Sequence, residues 1–247
     1  MRLLLLLTLT LCAGCASYAT PGGPAPLATM NAADAEAVAA ARPTLSFPVS
    51  INLVRIQAAD YESFSAERLA GGSFSVVAPA ELAAPQALRA VAQWPLVSAV
   101  EVLRPALLPA RLESLDDLRL AAAKNLADVL IVYTVDTRFE SGGVGLAPRA
   151  ELSLGKSPSP NAAVASTASA LLIDVRTGYR YGMAQANARV DDLADAWMSA
   201  AALDRTRVDT ERQAVIALLS EAQKIWNGIA GPGEFAHSLD SSWTAAR

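Results

Sequence analysis

The sequence predicts an α/β (α+β) fold, a single sheet of about five to six strands covered by helices, with a long amphipathic helix near its C-terminal end. Three observations predict it. In the run Val129 to Phe139, Val129, Leu130, Ile131, Val132, Tyr133 and Val135 are apolar, the pattern of a strand buried on both faces. Period-two and period-3.6 stretches alternate along the chain. From Thr206 to about Ile229, Val208, Val215, Leu218, Leu219, Ala222, Ile225, Trp226 and Ile229 fall on one helical face.

Taken in order, Pro48 to Gln57 carries Val49, Ile51, Leu53 or Val54, and Ile56, and reads as the first strand. Gly71-Gly72 marks a turn into a second short strand, Phe74 to Val77. Pro79 to Gln93 has helical spacing through Leu82, Leu88 and Val91, and Pro85 places the helix start near Ala84. Val97 to Leu103 is a further strand, closed by Pro105 and Pro109. Ser114 followed by Asp116 and Asp117 starts a helix whose apolar positions are Leu115, Leu118, Ala122 and Leu126, and Ala127-Asp128 ends it before the buried strand. Glu140 to Asn161 is a Gly/Pro/Ser-rich loop with one strand expected at Ala150 to Leu154. Ala165 to Val175 and Tyr179 to Val190 form a hairpin around Arg176-Thr177-Gly178, with Gly at the position that wants positive φ. Asp191 to Leu203 is alanine-rich and expected to be helical before the long helix begins. Gly231-Pro232-Gly233 ends that helix, leaving a loose tail over residues 231–247.

With 247 residues, 53% hydrophobic and 18% charged, the chain can bury one sizeable core. A formal charge of −4 with no basic block excludes a nucleic-acid footprint. Beyond the first fifteen residues no run reaches the ~18 apolar residues of a membrane helix.

Met1-Arg2 followed by the apolar stretch Leu3 to Leu11 has the form of a signal peptide over residues 1–14. The stretch ends Leu11-Cys12-Ala13-Gly14-Cys15, which resembles a bacterial lipobox with Cys12 in the place of the usual leucine. That resemblance implies cleavage before Cys15, a lipid on its sulfur, and, with Ala16 next, sorting to the periplasmic face of the outer membrane. Two or three acyl chains anchor a protein stably. Residues 15–44, rich in Ala, Pro, Gly, Ser and Thr, read as a flexible tether, and residues 45–230 as the periplasmic domain.

The stretch Leu120 to Phe139, an alanine-rich helix followed by Ala127-Asp128 and a buried strand, and the stretch Ala168 to Ala186, with Ile173-Asp174-Val175-Arg176-Thr177-Gly178 at its turn, resemble the small α/β domain of CsgG-like envelope lipoproteins, which include penicillin-binding-protein activators. The resemblance spans Leu115 to about Ile229, implies a fold, and carries structural motifs only. The pore-forming members have transmembrane hairpins. Here Gly142 to Asn161 has no alternating apolar pattern of ~9–11 residues per strand, so no pore is expected.

Catalytic and metal-binding groups are scarce. His237 is the single histidine, and cleavage leaves Cys15 as the single cysteine, so a zinc site of usual composition and a Ser-His-Asp triad are both disfavoured. Gly142-Gly143-Val144-Gly145 meets neither phosphate-binding fingerprint. No metal or cofactor is expected. Asp136 and Arg138 on the buried strand, with Asp174 and Arg176 at the hairpin turn, form a possible polar cluster if the strands lie side by side. They are either local ion pairs that fix geometry or a carboxylate dyad, which needs two carboxyls about 5–10 Å apart. Tyr179, Tyr181, Trp197 and Trp226 fit core packing better than a partner patch. The expectation is a non-enzymatic envelope lipoprotein held to the membrane by Cys15, acting on an envelope protein partner or as an assembly accessory. A homo-oligomer is a further option, and the alternative is a periplasmic carboxylate-dependent hydrolase.

Overall fold

The computed structural model describes residues 16–27, 30, 40–82, 85–155 and 161–231; the signal-peptide stretch, Cys15, His237 and the tail beyond residue 231 lie outside these. Its elements are β1 (Ser17–Ala19), β2 (Val49–Ala58), β3 (Arg68–Ala70), β4 (Phe74–Val77), α1 (Pro85–Ala92), β5 (Val97–Val102), α2 (Leu115–Lys124), β6 (Val129–Ser141), β7 (Val144–Gly145), β8 (Glu151–Ser153), β9 (Ala163–Asp174), β10 (Arg180–Asp191) and α3 (Ala200–Ile229).

Eight strands form one mixed sheet in the order β10-β9-β6-β2-β4-β3, with β5 also beside β2 and β7 beside β6. The expected count was five to six. The surplus comes from β3 and β7, three and two residues long, too short to show a period. β2 is parallel to both β5 and β6, and one edge of β2 is shared, β5 covering its first half and β4 its second. β6, β9 and β10 form an antiparallel meander.

Strand alternation sorts the core into two layers. Val49, Ile51, Leu53, Val129, Ile131, Tyr133 and Val135 face α1 and α3, where they meet Val91, Trp94, Ala214, Leu218, Ala222 and Trp226. Val54, Ile56, Leu130 and Val132 face α2 through Leu115, Leu118, Ala121 and Ala122. α3 therefore packs on its own sheet, and the Trp226 indole N–H donates to the Pro95 carbonyl at 2.9 Å. At the far end of β6 a third cluster joins Tyr18, Phe139, Leu152, Val164, Trp197 and Leu203.

The structure corrects three expectations. Residues 16–27 are not a tether. β1 pairs antiparallel with β8 in a separate two-stranded sheet, Tyr18 is 1% exposed, and Ala25 and Leu27 are buried in the α2 layer. The entropy argument failed because this segment docks on a surface built by the rest of the chain, which supplies backbone partners such as Ala150 for Thr20 and Glu62 for Gly22. The alanine-rich stretch Asp191 to Leu203 is not one helix. Ser199 caps α3 by accepting from the Ala202 amide at 3.2 Å, so the long helix starts six residues before Thr206 and only a single 3-10 turn, Ala196–Met198, precedes it.

The third correction is Leu126, assigned to the buried face of α2 but 83% exposed with φ 59°. It occupies the left-handed position of a Schellman cap, with Ala127 N–H bonded to Ala122 C=O and Leu126 N–H to Ala123 C=O. A side chain there costs about 1 kcal/mol, so Leu126→Gly is expected to stabilise the fold by up to that amount in thermal unfolding.

Candidate functional site

The four residues singled out from sequence do not come together. β6 and β9 are neighbours, yet in their register Asp136 faces Thr167 while Asp174 faces Val129, seven residues away along β6. A strand rises ~3.3 Å per residue, which separates the two carboxylates by roughly 23 Å. The antiparallel return places a strand middle and a hairpin turn at different heights. Asp136 pairs only with Arg138, at 2.9 Å on a half-exposed surface, and such a pair contributes little. Arg176 is exposed.

Asp174 is buried and organises the β9–β10 turn. Its carboxylate accepts from the amides of Arg176 at 2.9 Å, Thr177 at 3.0 Å and Thr44 at 2.9 Å, and from the Tyr181 hydroxyl at 3.0 Å. Burial acts to raise its pKa, and the amides of Thr177 and Thr44 with the Tyr181 hydroxyl outweigh this, leaving it below the usual carboxylate range. The stability it contributes is therefore present above the unfolded-state pKa and lost as pH falls through the lower folded-state value. Asp174→Asn is expected to cost about 2 kcal/mol at pH 7 and to flatten the acid limb of a stability-against-pH curve below about pH 4.

A larger polar assembly lies under α3. Arg55 continues the inward series Val49, Ile51, Leu53 on β2, and α3 presents Asp204, Arg207 and Glu211 to the core. Arg55 Nη1 bonds Glu81 at 2.7 Å and Glu211 at 3.0 Å, and its Nη2 reaches the Tyr61 hydroxyl at 3.3 Å. Arg207 bonds Asp204 and Glu211, both at 2.7 Å, and Ser65 at 3.0 Å. The hydroxyls of Tyr133, Thr137 and Tyr18 donate to Glu81 at 2.6 Å, Glu211 at 2.9 Å and Asp204 at 3.0 Å, and Ser65 donates to Asp204 at 2.5 Å. All six carboxylate oxygens of Glu81, Asp204 and Glu211 thus accept at least one bond.

Burial alone would favour neutral Glu211, but the Arg55 and Arg207 guanidiniums beside it hold its carboxyl below the ordinary value. The same carboxylates outweigh burial to raise the pKa of Arg55 and of Arg207 above the ordinary arginine value. Burial pushes the Tyr18 and Tyr133 hydroxyls up. A buried network in which every carboxylate oxygen is bonded, with only the Arg55 Nε lacking a partner, clamps its parts together. It joins β1, β2, β6, α3, the loop after β2 and the turn at Glu81.

Sequence reading missed this network because it counted apolar periodicity only. The signal was one of phase: Arg55 is in register with Val49, Ile51 and Leu53, Thr137 with Val129 to Val135, and Asp204, Arg207 and Glu211 with Ala214, Leu218 and Ala222.

Surface clefts also open among the described residues. One of about 340 Å³ opens beside Thr44, Leu126, Asp128 and Asp174. A second of about 400 Å³ is lined by Pro24, Asp136, Arg138 and Leu146, and a third of about 230 Å³ by Ala87, Trp94, Ile216 and Leu219 between α1 and α3. Among the described residues no three His, Cys, Asp or Glu side chains are grouped to hold a metal ion, and no helix is long and apolar enough to cross a membrane. No protein-family model matches the chain, and a search of curated proteins finds no match.

Proposed function

We propose that this protein is a lipid-anchored protein of the bacterial outer membrane whose periplasmic domain binds an envelope protein partner or assists assembly, without catalysis of its own. The observation that carries the reading is the sequence Ala13-Gly14-Cys15 at the end of a positively started apolar stretch. The engagement of the buried carboxylates in structural bonds adds support. The hydrolase alternative built on Asp136 and Asp174 loses its premise, because the two lie seven residues apart along β6 and Asp174 is held by several donors.

The anchor is tested by growing expressing cells with an alkyne-tagged palmitate and comparing the wild type with Cys15→Ser. Label on the wild type alone, together with loss of the variant from the membrane pellet, is the expected result. A wild type without label, or a variant that still pellets with membranes, contradicts the reading. Crosslinking in intact envelopes, followed by identification of the adduct, tests the partner.

A further inference from the structure

We propose that the end of the domain carrying Phe64, Val144 and Met198 rests on the bilayer in which the Cys15 lipid is embedded, a surface contact that builds on the lipid-anchor reading above. The first premise is the absence of slack. Ala16 is one peptide bond from Cys15, consecutive α-carbons being ~3.8 Å apart. Its carbonyl accepts the Leu154 amide at 2.8 Å. Two residues further on, Tyr18 is locked by its hydroxyl bond to Asp204 and by a ring contact with Phe139 at 5.5 Å. An acyl chain on Cys15 would hold the folded body against the membrane rather than let it hang away.

The second premise is what surrounds that point. Because β2 and β6 run parallel, the loop after β2 and the turn after β6 emerge at the same end of the sheet, the end at which Phe139 meets Tyr18. Phe64, in the first of these, is 58% exposed with its ring 6.1 Å from that of Tyr18. Val144, opposite Ser141 in β7, is 66% exposed. Met198, 63% exposed, follows Trp197, whose carbonyl accepts the Gly155 amide next to the Leu154–Ala16 bond. Three exposed large apolar side chains thus lie at the end of the sheet where Tyr18 is packed, whereas Leu96 and Leu126, also exposed, precede β5 and β6 at the opposite end. Exposed apolar side chains around a lipid anchor are what an interfacial contact uses. Asp192 and Asp195, on the loop before Met198, carry charge that keeps the contact at headgroup depth.

The test uses the mature lipidated protein in vesicles of phosphatidylethanolamine and phosphatidylglycerol containing a spin-labelled lipid quencher. Acylation occupies Cys15, so a cysteine introduced as Met198→Cys, Phe64→Cys or Leu126→Cys takes an environment-sensitive fluorophore alone. Quenching at 198 and 64 at least threefold stronger than at 126 is expected. Equal, weak quenching at all three on protein that floats with the vesicles overturns the orientation while leaving the anchor intact. Absence of the acyl mass on the N-terminal peptide overturns the anchor and the orientation with it. Two independent rim positions guard against one variant that does not fold, checked by circular dichroism.

Discussion

Glu211→Ala is expected to lower the free energy of unfolding by about 3–5 kcal/mol at pH 7, the range for breaking a buried ion pair by removing one partner. The loss is large because Glu211 joins two guanidiniums. Arg55 and Arg207 would both remain buried with fewer acceptors, and Thr137 would lose its acceptor while remaining close to Ser166. A domain of this size has a stability of about 5–15 kcal/mol, so the variant approaches the limit of folding. Urea denaturation followed by tryptophan fluorescence measures it. Arg189→Ala serves as the contrast. Its pair with Glu140 lies on the solvated surface, where ion pairs contribute little, so its loss is expected to leave stability nearly unchanged. Equal, small effects from the two variants would mean that the network under α3 is not a clamp. Because the folded-state pKa of Glu211 is lowered, its contribution is present above the unfolded-state value and is lost as pH falls through the folded-state value.

Tyr18→Ala is the second large effect, about 3–5 kcal/mol, as for other large aromatic truncations in a core. The ring fills the third cluster against Phe139, and the hydroxyl satisfies Asp204. Tyr18→Phe separates the two roles: it keeps the ring and is expected to cost about 1–2 kcal/mol through the lost bond to a carboxylate. In a flexible tether both substitutions would be silent within about 0.5 kcal/mol.

Both expected effects involve residues that apolar periodicity in the sequence does not place in the core. β2, β6, the β9–β10 hairpin and the second half of α3 were legible because apolar residues recur in them at the period of the element. The first half of α3 was not, because its buried face holds Asp204, Arg207, Thr210 and Glu211, which hydropathy scores as surface. Such charges can enter a core only when partners distant in sequence meet them. Arg55 and Glu211 are 156 positions apart, and Tyr18 and Asp204 are 186 apart, so no local window contains the pair. Residues 16–27 failed for the same reason: their partners, Ala150, Glu62, Thr134 and Asp204, are distributed over the whole domain. For Asp136 and Asp174 the condition that their strands lie side by side is met, but register decides distance, and composition does not carry register.

The N-terminal segment over residues 16–27 belongs to the folded body and is held there in part by the charges buried under α3. Hydrogen exchange of the peptide spanning residues 16–27, read by mass spectrometry on the intact protein, tests it most directly. The amides of Thr20, Gly22 and Ala25 donate to Ala150, Glu62 and Thr134, and they are expected to exchange far more slowly than in an unstructured chain. Exchange of that peptide at the rate of a free peptide, with β6 and β9 still protected, would contradict the account.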